Sequence, residues 1–364
     1  MTKSGVLLLA SAAAIAPNAF AQSSVTMFGL MDVGVSYVSN EGGRANVKMD
    51  DNIFFPNLLG FDGKEELGGG TRAIFRLVSQ YSLASGATIG GGLFARNAYV
   101  GLENDRYGKL TFGNQYDFMV DSLFFGGTEI AQDLTGLYGF RNGPFDKLAI
   151  PGNPTGAFDW DRVAGSTRVA NAVKYVSPPV AGLTVGALYG FGNVAGSIGA
   201  GNTVSVGASY DGGPFGAAAA LTNVKYGGKD GMPATSIRNW GAGLRYAVGS
   251  VTGKLLVTTV HNALNGAGAW MVEGGAMWQP APDWIAGASY TYMKGSEKLD
   301  GNHAHQVGAA VHYLLSKRTR LYAAAVYQRA SVGGHAQING VMDENGAASG
   351  ATQAIARIGI STKF

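Results

Sequence analysis

Alternation of side-chain character over segments of about ten residues restricts this chain's fold more than any other feature. "TRAIFRLVSQ" places Ala73, Phe75 and Leu77 on one face and Arg72, Arg76 and Gln80 on the other. "DWIAGASYTYM" sets Trp284, Ala286, Ala288, Tyr290 and Tyr292 against Ile285, Gly287, Ser289 and Thr291. "RLYAAAVYQ" sets Leu321, Ala323, Ala325 and Tyr327 against Arg320, Tyr322, Ala324 and Gln328. A strand turns successive side chains to opposite faces, so a period of two marks strands that touch two different media. Sixteen such segments run along the chain, at 24–38, 52–65, 70–80, 93–103, 108–116, 166–177, 182–192, 201–211, 215–225, 236–248, 251–262, 268–279, 283–293, 304–315, 319–330 and 353–364.

The connections fall into two kinds that take turns. One kind is tight and carries Gly, Pro or Asp: 67–70, 104–108, 177–182, 211–214, 248–250, 280–283 and 316–319. The other is longer and polar: 38–51, 81–92, 117–165, 192–201, 226–236, 262–267, 294–303 and 331–352. A soluble sandwich gives no reason for such a division. A closed barrel in an outer membrane does, with short turns at one end, long loops at the other, and strands facing lipid and lumen alternately. The expected fold is all-β: a 16-stranded antiparallel transmembrane β-barrel, wide enough to enclose water.

The chain's last stretch fits that closure. In "QAIARIGISTKF", Ala354, Ala356, Ile358, Ile360, Thr362 and Phe364 share one face; Ile355 is the one apolar exception on the other. An open sheet edge cannot survive in hydrocarbon, so this strand is expected to pair with the first, Ser23 to Val38, whose Met31, Val33 and Val35 point outward. Only 14% of residues are charged, against about 25% in soluble domains. The formal charge of +3 gives no broad basic surface, and no nucleic-acid partner is expected. Cysteine is absent, which removes disulfides and thiol chemistry. Lys3, the apolar run "VLLLASAAAIA" and the small-x-small site "AFA" (Ala19 to Ala21) read as a signal peptide over 1–21, with the barrel over 22–364.

Six stretches carry a family resemblance: "AQSSVTMFGLMDVGVSY", "GFDGKEELGGGTRAIFRL", "RNAYVGLENDRYGKLTFGNQYD", "RVANAVKYVSPPVAGLTVGALYGFG", "LSKRTRLYAAAVYQRA" and "IGISTKF". With them the chain resembles the trimeric general porins of Gram-negative bacteria, in the betaproteobacterial branch, over essentially its whole length. The resemblance implies a homotrimer with one pore per subunit and a third external loop folded inward. It also implies that Phe364 serves as the signal read by the barrel assembly machinery. The segment 117–165 matches the third loop by position. Its Asp121, Glu129, Asp133 and Asp146 form the expected acidic side of the constriction, with Asp159 and Asp161 further along. In "TEIAQDL", Glu129 and Asp133 lie four apart, one side of a helical turn. By resemblance, Arg96 and Arg168 belong to a basic ladder on the opposite wall, and Lys174 shares the face of Arg168. The ladder departs from the family at Leu58 and Asp62, where basic residues are usual. Arg72 and Arg76, on the lumen face of the next strand, are the expected compensation. Acid facing base across a wet gap sets up a transverse field that orients polar solutes.

The implied function is passive diffusion of small hydrophilic solutes and ions across the outer membrane, with weak ion selectivity whose sign Leu58 and Asp62 leave open. The implied surroundings are outer-membrane lipid and lipopolysaccharide. No enzyme activity, cofactor or metal is expected. One rival is a sugar-selective porin, with Phe124, Phe125, Tyr138 and Phe140 as an aromatic track; others are a barrel hydrolase and an adhesin. "GFGNVAG" (190–196) has the wrong spacing for a nucleotide loop. "DWD" (159–161) has too few partners for a metal. "HAH" (303–305), in an expected external loop, lacks further ligand spacing. His312 falls on the lumen face, and His261 and His335 suggest no site.

Overall fold

The computed structural model describes residues 23–227, 234–341 and 346–364. The signal-peptide expectation over 1–21 falls outside them. The first half of the sheet comprises β1 (Ser24–Glu41), β2 (Arg44–Asp51), β3 (Leu58–Gly68), β4 (Thr71–Tyr81), β5 (Thr88–Ile89), β6 (Asn97–Asn104), β7 (Gly108–Gln115), β8 (Val169–Val176) and β9 (Leu183–Gly190). The second comprises β10 (Thr203–Gly212), β11 (Phe215–Tyr226), β12 (Thr235–Val248), β13 (Val251–Asn262), β14 (Gly268–Ala281), β15 (Trp284–Gly295), β16 (His303–Leu314), β17 (Thr319–Ala330) and β18 (Thr352–Lys363). Each strand pairs antiparallel with its neighbours, and β1 pairs with β18 from Leu30↔Lys363 to Val38↔Ile355, which closes the barrel. The wall has sixteen positions. β2 and β3 are two halves of one wall strand, both paired with β1, and β5 adds only a two-residue pairing to the end of β4.

The halves of the second wall strand mark a correction. Residues 38–51 were expected as a long loop. Instead β1 runs on to Glu41 and turns through Gly42 and Gly43, both at positive φ (61° and 95°), into β2. Two consecutive positive-φ residues make the tight hairpin whose twist suits the flanking strands, and glycine adopts them freely. The irregularity falls later, at 52–57. There the chain leaves the wall strand, and Ile53 and Phe54 become buried. Buried Asp32 holds the departure point, its carboxylate accepting from Ile53 N (3.1 Å) and Phe54 N (3.0 Å). The "HAH" histidines also differ from expectation: they open β16 rather than lying in a loop.

Alternation sorts the two faces. Val25, Met27, Val35 and Tyr37 of β1 and Ile358 and Ile360 of β18 are exposed, whereas Asp32, Ser36, Arg357 and Ser361 are buried. The apolar set faces outward, where in a membrane it meets lipid. Aromatic residues mark both ends of the outer face. Trp284 stacks near Tyr313 beside one tight turn (centroids 4.8 Å), and Trp270 meets Tyr292 towards the long-loop end (5.6 Å). Such rings sit at headgroup level.

The segment between β7 and β8 lies along the inner face of the wall. It holds a π-helical turn (Met119–Phe124) and the short helix α1 (Ala131–Thr135). Wall glycines make the space. A Cβ on Gly186 or Gly207 would collide with Phe118, one on Gly241 with Leu123, and one on Gly243 with Thr128. Phe145, Leu148, Trp160 and Val163 continue as a core against Ile237, Leu256, Val260, Met271 and Met293. Each large apolar side chain buried this way contributes about 1.5–3 kcal/mol. The last external loop also reaches in, through Ile338 and Val341 beside Tyr138.

Candidate functional site

Three sets of charged groups lie in or beside the loop 117–165 inside the barrel. The first is buried. Arg141 donates through Nη1 to Glu129 (3.0 Å) and Glu273 (3.0 Å) and through Nε to Asp161 (2.8 Å), all with no exposed side-chain surface. Thr258 Oγ1 donates to Asp161 and Thr291 Oγ1 to Glu273. Ile130 N and Ala131 N also donate to Glu273, which ties the start of α1 to β14. One cation among three carboxylates leaves excess negative charge, and burial together with the Glu273 carboxylate pushes Glu129 well above its usual pKa. Nearby, Asp159 caps the returning end of the loop, accepting from Ala164 N, Ser166 N and Ser166 Oγ. Burial and the Asp161 carboxylate push its pKa up to about 6.

The second set joins loop to wall. Asp121 pairs with Lys174 of β8, and Asp133 pairs with Lys254 of β13. Lys174 also donates to Tyr116 O (3.0 Å), and Lys254 to Glu129 O (3.0 Å). These acids are the loop's side towards the wall, each with a cation attached. Arg162 likewise pairs with buried Asp117.

The third set is cationic without acid. Arg96 and Arg168 both lie against the ring of Tyr116, 5.7 Å and 5.9 Å from its centroid. Arg96 donates to Gln80 Oε1 (2.7 Å), and Arg168 to Gly165 O (2.9 Å) and Ser166 O (3.0 Å). Neither has an ion-pair partner among the described residues. Burial and the neighbouring Arg96 lower the pKa of Arg168 to about 10, which leaves it charged at neutral pH. Two guanidinium groups held near one ring by neutral acceptors leave positive potential for a mobile anion.

The other expected site residues fall elsewhere. Glu129 is buried with Arg141, so Glu129 and Asp133 do not act as a pair: only Asp133 reaches a wall lysine. Asp146 is exposed beside Lys147, which pairs with Asp300, while Leu148 O accepts from Asn262; this part of the loop meets the β13–β14 and β15–β16 loops. Arg72 pairs with Glu103 (3.0 Å) and with Asp105 of a tight turn. Arg76 faces Asp62 (3.6 Å), its register partner, and covers the Phe28 ring. Asp62 therefore has a local counter-charge. Leu58 is buried. Of the aromatic track, Tyr138 and Phe140 are buried, while Phe125 is 64% exposed. Phe364 closes the barrel edge: its N donates to Gly29 O (3.1 Å), its O accepts from Gly29 N (3.2 Å), and its ring covers Gly29.

Lys254, Glu273, Arg320 and the inward turn at 52–57 were not singled out in the sequence. Lys254 and Arg320 lie on lumen parity in their strands, a signal that was available. Glu273 sits mid-strand in "WMVEGGAM", where an inward acid needs a partner that only the folded loop supplies.

A family model described as Gram-negative porin matches residues 8–333. The chain is 27% identical to outer membrane porin protein 32 of Delftia acidovorans over 330 residues, 88% of each protein. It is 32% identical over 139 residues to an outer membrane porin protein of Bordetella pertussis, a stretch spanning 36% of that protein and 34% of this chain. Among solved structures, the anion-selective porin from Comamonas acidovorans superposes with a TM-score of 0.79 at 23% identity, covering 94% of this chain and all of that one. OmpT of Vibrio cholerae, in its trimer form, gives 0.67 at 14% identity, covering 94% and 99%.

Proposed function

Because this chain belongs to the Gram-negative porin family, a family of outer-membrane barrels rather than enzymes, we propose that its pore has a weak preference for anions. The pore serves as a passive diffusion path for small hydrophilic solutes and ions. The observation that carries the sign is the imbalance of free charge. Asp121 and Asp133 have lysines attached, whereas Arg96 and Arg168 have no carboxylate beside them among the described residues. Unpaired fixed charge in a narrow wet path raises the local concentration of its counter-ion. Leu58 and Asp62, standing where basic residues were expected, weaken this preference without reversing it, since Asp62 is met by Arg76. The solved relative named as anion-selective supports the same direction.

The loop 117–165 is the constriction element in this reading. A homotrimer, a signal peptide over 1–21, contact with lipid and lipopolysaccharide, and recognition of the Phe364 strand by the assembly machinery complete it. The outer face offers a docking surface for a second copy: Ala309, Ala323, Ala325 and Ala356 line a shallow apolar groove with Val35 and Ile358. Small side chains let neighbouring backbones approach closely in a membrane.

Reversal potential in planar bilayers under a KCl gradient tests the sign. The wild type is expected to favour chloride, and Arg96→Gln with Arg168→Gln to move the potential towards zero or into the cation-selective range. A cation-selective wild type overturns the assignment.

A further inference from the structure

We propose that the lumen holds a second cation-and-aromatic station, formed by Phe54, Phe55 and Arg320, that binds planar aromatic carboxylates in transit. This inference rests on the channel reading and names a solute class for it. The station exists because the second wall strand breaks. Residues 52–57 leave the sheet and carry Phe54 and Phe55 inward, their rings 4.5 Å apart and tilted. Phe54 is wedged against His312 (4.8 Å) and Tyr322 (4.9 Å), both on the inner faces of β16 and β17. Ile53 O accepts from Leu137 N of the inward loop (2.6 Å). At Gly136, a Cβ would strike Ile53 O and Phe54. Asp32 fixes the backbone of the turn from the wall side and is itself held by Tyr322 Oη and Arg357. Phe54 is thus held from two directions, and Phe55 follows it in the chain.

Arg320 lies 5.4 Å from the centroids of both phenylalanine rings. No carboxylate among the described residues forms an ion pair with it, and no hydrogen bond from its side chain to them is present. It occupies the lumen parity of β17, two residues before buried Tyr322. Buried His312, 3.1 Å from Leu134 O through Nε2, backs Phe54 and ties the inward loop to β16. A guanidinium offers a carboxylate two parallel N–H donors. Half-buried Phe55 offers a solute ring a stacking surface beside them. The solute class that uses both is a planar aromatic ring bearing a carboxylate. Aliphatic acids of the same charge engage Arg320 alone. The Arg96, Arg168 and Tyr116 group differs, because there the ring is buried and both guanidinium groups are tied to acceptors.

The test is block of single-channel KCl current in planar bilayers by benzoate and by cyclohexanecarboxylate, acids of equal charge and similar size. The wild type is expected to be blocked about three- to tenfold more tightly by benzoate, the fold-change that an aromatic contact of ordinary strength gives. Phe55→Leu and Arg320→Gln, each conducting in KCl, are expected to bring the ratio near one. Arg168→Gln is expected to weaken block by both acids and leave the ratio. Equal block of the wild type, or an unchanged ratio in both station variants, overturns the inference while leaving the channel standing. Folded, inserted protein that carries no KCl current overturns the channel reading and this inference with it.

Discussion

At the residue scale, the buried acids Asp159 and Glu129 each contribute stability that falls as pH rises. Asp159 has an ordinary pKa of 3.8 when unfolded and about 6 when folded, raised by burial and by Asp161. The folded state therefore holds a proton that the unfolded state has released between those values. Stability from this group is fully present below about pH 4 and lost progressively as pH climbs through about 6. Glu129, raised by burial and by Glu273, acts in the same direction. The thermal midpoint of the purified protein is expected to be higher at pH 5 than at pH 8, with a smaller difference in Asp159→Asn. A midpoint that rises with pH contradicts this account. The same cluster shows how far residue types alone can mislead. Glu129 and Asp133 look equivalent four residues apart, yet one is buried beneath the loop against Arg141 and the other reaches Lys254.

At the scale of elements, the inner loop and the wall are fitted through glycine. Gly207 has ordinary extended backbone, so the absence of a side chain there serves space rather than conformation. A Cβ would collide with Ser122 Oγ and come within 2.6 Å of Phe118 Cβ. Gly207→Val must push the π-helical turn away from the wall and into the lumen, at about 1–3 kcal/mol for overpacking. Its single-channel conductance is expected to fall, while Ala208→Val, one residue along on the outward face, leaves conductance unchanged. Equal conductance in both variants would separate the loop from the constriction. Most strand limits are legible in sequence to within one to four residues; 251–262 and 319–330 match throughout. The first hairpin is not, because its inward residues Arg44, Asn46, Lys48 and Asp50 read as loop polarity until the inside of the barrel is known to be wet and charged.

At the scale of the whole molecule, closure depends on one edge. β18 meets β1 over Leu30 to Val38, and Phe364 extends the pairing to Gly29 with two backbone hydrogen bonds. Inside, Arg357 crosses the seam to Asp32 and Asp50, and its Nε donates to Tyr322 Oη (2.8 Å). Deleting Phe364 removes both backbone bonds, about 1–3 kcal/mol together, and uncovers Gly29. Refolding into lipid vesicles, read as heat-modifiable mobility on gels, is expected to give a lower folded fraction for the deletion than for Phe364→Tyr, which retains ring and backbone. Equal folded fractions would limit Phe364 to its proposed role as an assembly signal.

The sequence by itself determined the barrel. Alternating strands of nearly constant length, joined in turn by tight and long connections, leave a closed antiparallel sheet between lipid and water as the solution that satisfies every backbone group. That information is local: each strand reports the two media it touches. Tertiary structure alone decided which charges stand free in the lumen. Asp121, Glu129, Asp133, Arg96, Arg168 and Arg320 are all legible as charged residues on inner strands or an inner loop. Whether each is paired, buried or open depends on partners distant in sequence. Glu129, for one, shares Arg141 with Glu273, which stands 132 positions beyond that arginine. Coulomb energy depends on separation and on burial, and a loop folding back across the wall sets both only when the barrel has closed around it.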